Sequence, residues 1–220
     1  LITPFYSPVV LAKQLATLDV FSGGRLDVGL GIGWSLDEYE AAGVPGARRG
    51  ARADEFVRCL KAVWTEDPVE FRGEFHRVPR AHVRPRPVQR PHPPILIGGY
   101  SDGVFRRAVT LGDGYTGGNI PFAELAGVVQ RLRAAAAAAG RDPGRFPVVC
   151  RAAFNLTPEP LPEPRRAFWG SADQLRADLG RYQAAGVTQV FLDPNFQPGG
   201  AVLERVLGQM ETLAPGASRG

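Results

Sequence analysis

The run Gly24-Arg25-Leu26-Asp27-Val28-Gly29-Leu30-Gly31-Ile32-Gly33-Trp34 constrains the fold more than any other stretch of the chain. Read with period two, Leu26, Val28, Leu30 and Ile32 fall on one face and Gly29, Gly31 and Gly33 on the other, which predicts a β-strand. Glycine weakens a strand interior, so three on one face need a physical reason. One reason is a flat ligand lying against that face, because glycine permits close backbone approach. The other is tight packing between backbones at a crowded barrel centre. The spacing G-x-G-x-G inside a strand is not the dinucleotide fingerprint, which is G-x-G-x-x-G in the turn after one. Ser35 and Glu38 have capping-box spacing, so a helix is expected directly after Trp34. In parallel α/β folds the C-terminal end of a strand, here Gly33 and Trp34, is where sites are built.

Around this strand the chain alternates helix and strand. Ser7-Pro8 starts a helix with Leu11, Leu15 and Leu18 on one stripe, and Gly23-Gly24 stops it. A second helix after Arg52 buries Phe56, Val57, Leu60, Val63 and Trp64, and ends by Pro68. Val69–His76 reads as a hairpin around Gly73. A proline-rich connector, Arg84 to Pro94, leads into Ile95-Leu96-Ile97, a short apolar run expected of a strand buried on both faces. Gly98-Gly99-Tyr100-Ser101 then turns into a helix carrying Val104, Phe105, Ala108 and Leu111. Asp113–Thr116 is a short strand, and Asn119–Pro121 opens a long helix that Gly140 ends. Pro147–Leu156 is a strand, followed by a proline-rich surface loop. Ser171 and Gln174 form a second capping box, Val187–Leu192 a last strand, and Leu203, Val206, Leu207 and Met210 the buried stripe of a terminal helix. The final few residues are expected to fray. Repeated strand and helix argue a parallel sheet with helices outside.

Composition narrows the function classes. No apolar run is long enough to span a bilayer, so no membrane partner is expected. Cys59 and Cys150 sit in apolar settings and read as reduced core residues, which suits a cytoplasmic protein. His76, His82 and His92 have no ligand-like spacing, so no metal site is read. The net charge is +4, and the arginines are scattered through helices and loops. No nucleic-acid motif accompanies them, so a mild basic excess points to an anionic small molecule rather than nucleic acid. Residue 1 is leucine and the only methionine is Met210, which reads as one piece, residues 1–220, of a longer chain.

The chain resembles the luciferase-like flavin and deazaflavin oxidoreductases, most closely their coenzyme F-420-dependent branch. The resemblance is carried by Pro8-Val9-Val10-Leu11-Ala12-Lys13, by Thr17 through Leu26, by Gly29 through Trp34 with Glu38, and by Pro85 through Gly99. Arg106-Arg107-Ala108 and Gly112-Asp113-Gly114-Tyr115 match as well. It implies a (β/α)8 barrel of TIM type with the cofactor across its C-terminal mouth. The glycine strand then corresponds to the fourth strand, Ile95–Gly98 to the fifth, and three more follow. The first three precede Leu1, apart from the end of the third at Leu1-Ile2-Thr3. The expected fold is therefore one incomplete luciferase-like barrel domain.

The same resemblance implies a role for particular residues. Gly98, Gly99 and Ser101 would hold the cofactor phosphate, a role suited to a loop at a helix N-terminus. Gly31 and Gly33 would let the ring system lie close. Trp34 would wall it, or else pack partly buried under a loop. Glu38 is either a proton carrier or only the capping-box partner. Arg106 and Arg107 either add charge toward the cofactor or form a solvated helix face, the second being favoured. Asp19, Ser22 and Arg25 fix the turn between helix and strand. The resemblance implies that residues against the reactive face of the cofactor come from the part before Leu1, so no catalytic residue is assigned. The implied activity is hydride transfer between coenzyme F-420 and a small organic substrate. An FMN-dependent monooxygenase is the alternative, and a non-catalytic half-barrel the alternative of another class. Without its first three strands, Leu26–Ile32 and Thr188–Leu192 become sheet edges, and self-association is expected.

Overall fold

The computed structural model describes residues 1–118 and 120–214. Asn119 and the final residues, expected respectively to open a helix and to fray, lie outside the described residues. The chain forms two compact units, Leu1–Tyr115 with Ala135–Asp142, and Thr116–Ala134 with Pro143–Gly220. Its parallel strands follow the expected order along the chain.

In the first unit, α1 (Pro8–Ser22) packs on α3 (Arg49–Thr65), and β1 (Val28–Leu30) and α2 (Leu36–Ala41) come between them in the chain. The buried faces are Leu11, Ala12, Leu15 and Ala16 of α1 and Phe56, Leu60, Val63 and Trp64 of α3. Trp64 Nε1 donates to Ala12 O at 3.0 Å, so its one polar atom is satisfied inside the contact. Leu18, placed on the α1 stripe by periodicity, is instead 53% exposed. Gly23 closes α1 in the left-handed conformation, φ 65°, which glycine adopts without a Cβ penalty. After α3 come the antiparallel strands β2 (Val69–Arg72) and β3 (Arg77–Ala81), then β4 (Ile95–Gly98) and α4 (Asp102–Thr110). β4 pairs in parallel with β1, Val28 opposite Ile95 and Leu30 opposite Ile97. β5 (Gly114–Gly118) and α5 (Phe122–Ala138) carry the chain across both units.

The glycine strand is shorter than the alternation predicts. Leu26 O is taken by Gln89 Nε2 at 2.7 Å, not by a ladder partner. At the other end Gly33 has φ 72°, which ends extended backbone. Gly31 forms an isolated parallel bridge with Ile2. Thr3 N donates to Gly31 O at 2.9 Å and Gly31 N to Leu1 O at 2.8 Å. The edge expected along Leu26–Ile32 is therefore partly covered by Leu1–Thr3.

In the second unit, β6 (Val148–Ala153) is followed by the short parallel pair β7 (Asn155–Leu156) and β8 (Trp169–Gly170), then α6 (Ala172–Ala184), β9 (Gln189–Asp193) and α7 (Leu203–Leu213). β6 pairs in parallel with β9, Val149 opposite Gln189 through Ala153 opposite Asp193. Both halves of the capping box at Ser171 and Gln174 are formed. The terminal helix departs from its expected packing. Leu203, Leu207 and Met210 are exposed, and its buried residue is Gln209. Gln197 and Gln209 exchange two amide bonds of 2.9 Å, and this reciprocal pair holds α7 in place of an apolar stripe. Cys59 and Cys150 are free and buried, and burial pushes each thiol up to about 11.

Among the described residues, and apart from the short β7–β8 pair, the parallel strands β1, β4, β6 and β9 make five with β5, the number expected of an incomplete eight-stranded barrel. No described helix is long and apolar enough to cross a membrane.

Asp19, at the end of α1, is fully buried and accepts from Val88 N at 2.8 Å, Gln89 N at 3.0 Å and Gln89 Nε2 at 2.8 Å. Asp19→Ala leaves three donors without an acceptor and should lower unfolding stability by about 3 kcal/mol or more, measured by urea denaturation.

Candidate cofactor site

β1 and β4 lie side by side and end together. The register that sets Leu30 opposite Ile97 brings Gly31 next to Gly98, and both line a narrow cleft with Thr3, Ile97 and Arg107. The two glycine segments that were separate in sequence thus meet at the C-terminal ends of adjacent parallel strands.

The glycines differ in why they are glycine. A Cβ on Gly33 would come within 2.9 Å of Ile2 Cγ2, and its φ is 72°. One on Gly99 would come within 2.8 Å of Val104 Cγ2, and its φ is 133°. The fold itself demands glycine at both positions, so neither needs a ligand to explain it. Gly31 is different. Its Cβ would meet only Gly98 O, at an ordinary 3.7 Å, and its backbone is not left-handed. Nothing in the packing requires glycine there, which leaves open access to the backbone as its use.

Tyr115 fixes the turn after β4 by donating its hydroxyl to Gly99 O at 2.9 Å. Ser101 is the N-cap of α4, with extended φ and ψ of −83° and 159°, yet its side chain makes no cap hydrogen bond. The helix start is held by backbone instead, with Val104 N donating to Ser101 O at 2.9 Å. The Ser101 hydroxyl is thus not consumed by the cap, at the positive end of a nine-residue helix. Asp102 occupies the first turn and opposes an anion there.

Of the two arginines after this loop, Arg106 lies on the expected solvated face and Arg107 does not. Arg107 is 5% exposed, pairs with Asp54 through Nε and donates to Gly50 O at 3.1 Å. Arg106 is exposed and also reaches Asp54, at 3.1 Å. Both charges are answered by α3. Trp34 is 86% exposed, which overturns its packing beneath a loop and leaves it standing in solvent beside Gly33. Ser35 Oγ caps Glu38 N at 3.4 Å. Asp19, Ser22 and Arg25 fix the turn as expected: Arg25 N donates to Ser22 Oγ at 3.2 Å, and Ser22 Oγ to Asp19 O at 3.1 Å.

Two charged clusters escaped the sequence reading. Glu55 on α3, 6% exposed, accepts from Glu74 N, Phe75 N and His76 N at 2.7, 2.7 and 2.6 Å. Burial pushes its carboxyl up, but the three backbone N–H groups outweigh this and hold it below the usual range. In the second unit Asp178, 1% exposed, takes Arg165 at 2.6 and 3.0 Å and Phe168 N at 2.7 Å. That anchor shapes a pocket of about 540 Å3 lined by Ile120, Phe122, Phe168, Arg165, Arg181 and Tyr182. Tyr182, raised to about 12 by burial, remains a hydroxyl and donates to Ile120 O at 2.8 Å. Glu55 lies 19 residues from the first of its backbone donors and Asp178 13 from Arg165, spacings that carry no local pattern, so only the tertiary structure exposes these pairs.

Two expectations follow. Gly99→Ala should cost about 1–3 kcal/mol through its backbone conformation, whereas Ser101→Ala should stay within about 0.5 kcal/mol of wild type, both by thermal or urea unfolding. Glu55, with its folded-state pKa depressed, contributes stability that is present at neutral pH and lost as pH falls below about 4 through that lowered value. The stability of Glu55→Gln should be lower at pH 7 and flatter across this acid range than that of wild type.

Residues 1–186 match the luciferase-like monooxygenase family. An FMNH(2)-dependent dimethylsulfone monooxygenase of Pseudomonas putida is 42% identical over 139 residues, covering 61% of this chain and 38% of its own length. The chain thus spans well under half of that curated relative. Among solved structures, the monooxygenase RslO1 from Streptomyces bottropensis superposes with a TM-score of 0.77 at 26% identity, covering 90% of this chain and 70% of that one. An F420-dependent secondary alcohol dehydrogenase in complex with an F420-acetone adduct shares the fold, with a TM-score of 0.78 at 17% identity, over 97% of this chain and 76% of that one. With the family match running through most of the chain and the parallel α/β order in place, the chain belongs to the luciferase-like monooxygenase family and has its TIM-barrel type of fold.

Proposed function

We propose that this chain carries the phosphate-holding part of a flavin-type oxidoreductase site, with Gly98, Gly99 and Ser101 receiving the phosphate and Gly31 the ring system or its side chain. The observation that carries the reading is the N-cap of α4: a serine whose hydroxyl makes no cap bond, after a glycine turn, beside an unforced glycine on the next strand. That donor set suits a phosphate bound by a hydroxyl, backbone N–H groups and the helix dipole. Its fit is charge-poor, since Arg106 and Arg107 are paired with Asp54 and Asp102 stands in the first turn. Binding therefore rests on directed hydrogen bonds.

FMN is the cofactor supported by the 42% identical relative, whose name states FMNH(2) dependence. The deazaflavin coenzyme F-420 is the second reading, favoured by the resemblance of the glycine strand and the Gly98–Ser101 loop to that branch. The bound cofactor supplies the redox chemistry, and the protein supplies orientation and electrostatics. Gly31 keeps the strand surface low, Tyr115 fixes the turn carbonyl, and exposed Trp34 stands where a substrate or a closing segment would meet it. The substrate is a small organic molecule.

Titration of the purified protein with FMN and with coenzyme F-420, followed by fluorescence, tests the reading. Ser101→Ala should weaken the tighter cofactor about tenfold, the loss of one hydrogen bond to a charged group, with no change in melting temperature. Equal affinity in Ser101→Ala and wild type would remove Ser101 from the site.

A further inference from the structure

The first unit contains a second cavity, of about 210 Å3, lined by Thr3, Pro4, Gly43, Val44, Pro45, Arg52, Phe56 and His76. Its side-chain nitrogens come from Arg52 and His76, while the Thr3 hydroxyl donates to Gly31 O at 3.2 Å. Arg52 Nε and His76 Nε2 are buried and have no hydrogen-bond partner. A buried polar nitrogen without a partner costs on the order of 1–3 kcal/mol, so two on one cavity call for an occupant. The rest of the wall is apolar, from Pro4, Val44, Pro45 and the Phe56 ring.

Both side chains are held in place before any ligand arrives. The Arg52 guanidinium lies 4.7 Å over the Phe75 ring. The His76 ring stands edge-on to Phe56, with centroids 5.6 Å apart. Its backbone N–H is pinned by Glu55 at 2.6 Å. The Glu55 carboxylate acts on His76, and its two oxygens already take three backbone donors of the β2–β3 turn. Glu74, the other acid of that turn, pairs with Arg48. No described carboxylate pairs with Arg52, so its charge is left for something else.

We propose that this cavity is a binding site for a small organic oxyanion, a carboxylate or sulfonate with a short alkyl part. Arg52 Nε–H and His76 Nε2–H donate to the anion, and the Pro4, Val44, Pro45 and Phe56 surface takes the alkyl group. The cationic donor selects an anion over a neutral acceptor, and the small volume restricts it to a few heavy atoms. Thr3 also lines the cleft of Gly31 and Gly98, so the site adjoins the candidate cofactor site. The proposal does not depend on the cofactor reading, because it concerns ligand binding by Arg52 and His76 alone.

The test is an NMR titration of the His76 imidazole nitrogens in the purified protein at constant ionic strength. The probes are acetate and methanesulfonate, with acetamide as the neutral molecule of acetate's size. The expected result is a saturable shift of His76 Nε2 with at least one of the two anions and none with acetamide. Whichever anion binds more tightly identifies the headgroup. Arg52→Gln should weaken that anion at least about tenfold, as loss of a charge-assisted hydrogen bond predicts. An equal response to acetamide and to the tighter anion, no saturable shift with either anion, or an unchanged affinity in Arg52→Gln would overturn the proposal. Should Arg52→Gln fail to fold, the comparison of the tighter anion with acetamide in the wild type decides it.

Discussion

The first unit depends on one buried carboxylate. Asp19 sits at the end of α1, where the chain must turn to enter β1, and it is wholly removed from water. Its oxygens take both backbone N–H groups of Val88 and Gln89 and the Gln89 amide, and that amide donates in turn to Leu26 O. One side chain thus ties the helix end, the entry to β1 and the proline-rich approach to β4. Those two strands carry the glycines of the candidate site, so their relative placement is inherited from this contact. Proline-rich connectors are poor in backbone donors, and Val88 and Gln89 are the one pair of consecutive residues before Arg90 whose N–H groups meet the Asp19 carboxylate. A buried charge is tolerated because each available donor is aimed at it.

The glycine run shows what a pattern can and cannot reveal. Alternation correctly placed a strand at Val28–Leu30 and set Val28 and Leu30 on its buried face. It assigned one cause to three glycines that have different causes. Gly33 is glycine because its φ is positive and Ile2 fills the space beside it. Gly31 is glycine without any such demand. The difference lies in residues far away in sequence, so no local reading separates them. The resemblance supplied the order of strands, and the register of β1 on β4 supplied the meeting of Gly31 with Gly98.

Elsewhere legibility followed the range of the interaction. Helix starts and stops were readable because caps are local: Gly23 ends α1, and Ser171 with Gln174 starts α6. The arginine at 107 was not, because its partner Asp54 lies on another helix. The α7 stripe of Leu203, Leu207 and Met210 has helical period, yet the buried contact is the Gln197–Gln209 amide pair. Two amides that satisfy each other bury without an unpaired polar atom, and periodicity of apolar residues gives no sign of this. Of the two readings of Trp34, its exposure removes the one in which it packs under a loop, and its place against a cofactor belongs to the proposal.

The β2–β3 hairpin is more than a decoration between α3 and β4. Its turn has few apolar residues to bury, so its position is set by Glu55, which reaches up from α3 and takes three successive backbone donors. A Cβ on Gly73 would lie 2.2 Å from Glu55 Oε1, so the turn can close over the carboxylate only because residue 73 has no side chain. The arrangement resembles a nest turned inward, with the anion supplied by the protein itself. Its consequence is directional. With the turn fixed, His76 can only present its ring beside Phe56, and Arg52, one helical turn before Phe56, is left as the neighbouring cation. Glu55 therefore acts on the cavity through geometry, with its own charge already occupied by the backbone, and the positive side chain next to it keeps its capacity for an anion from outside.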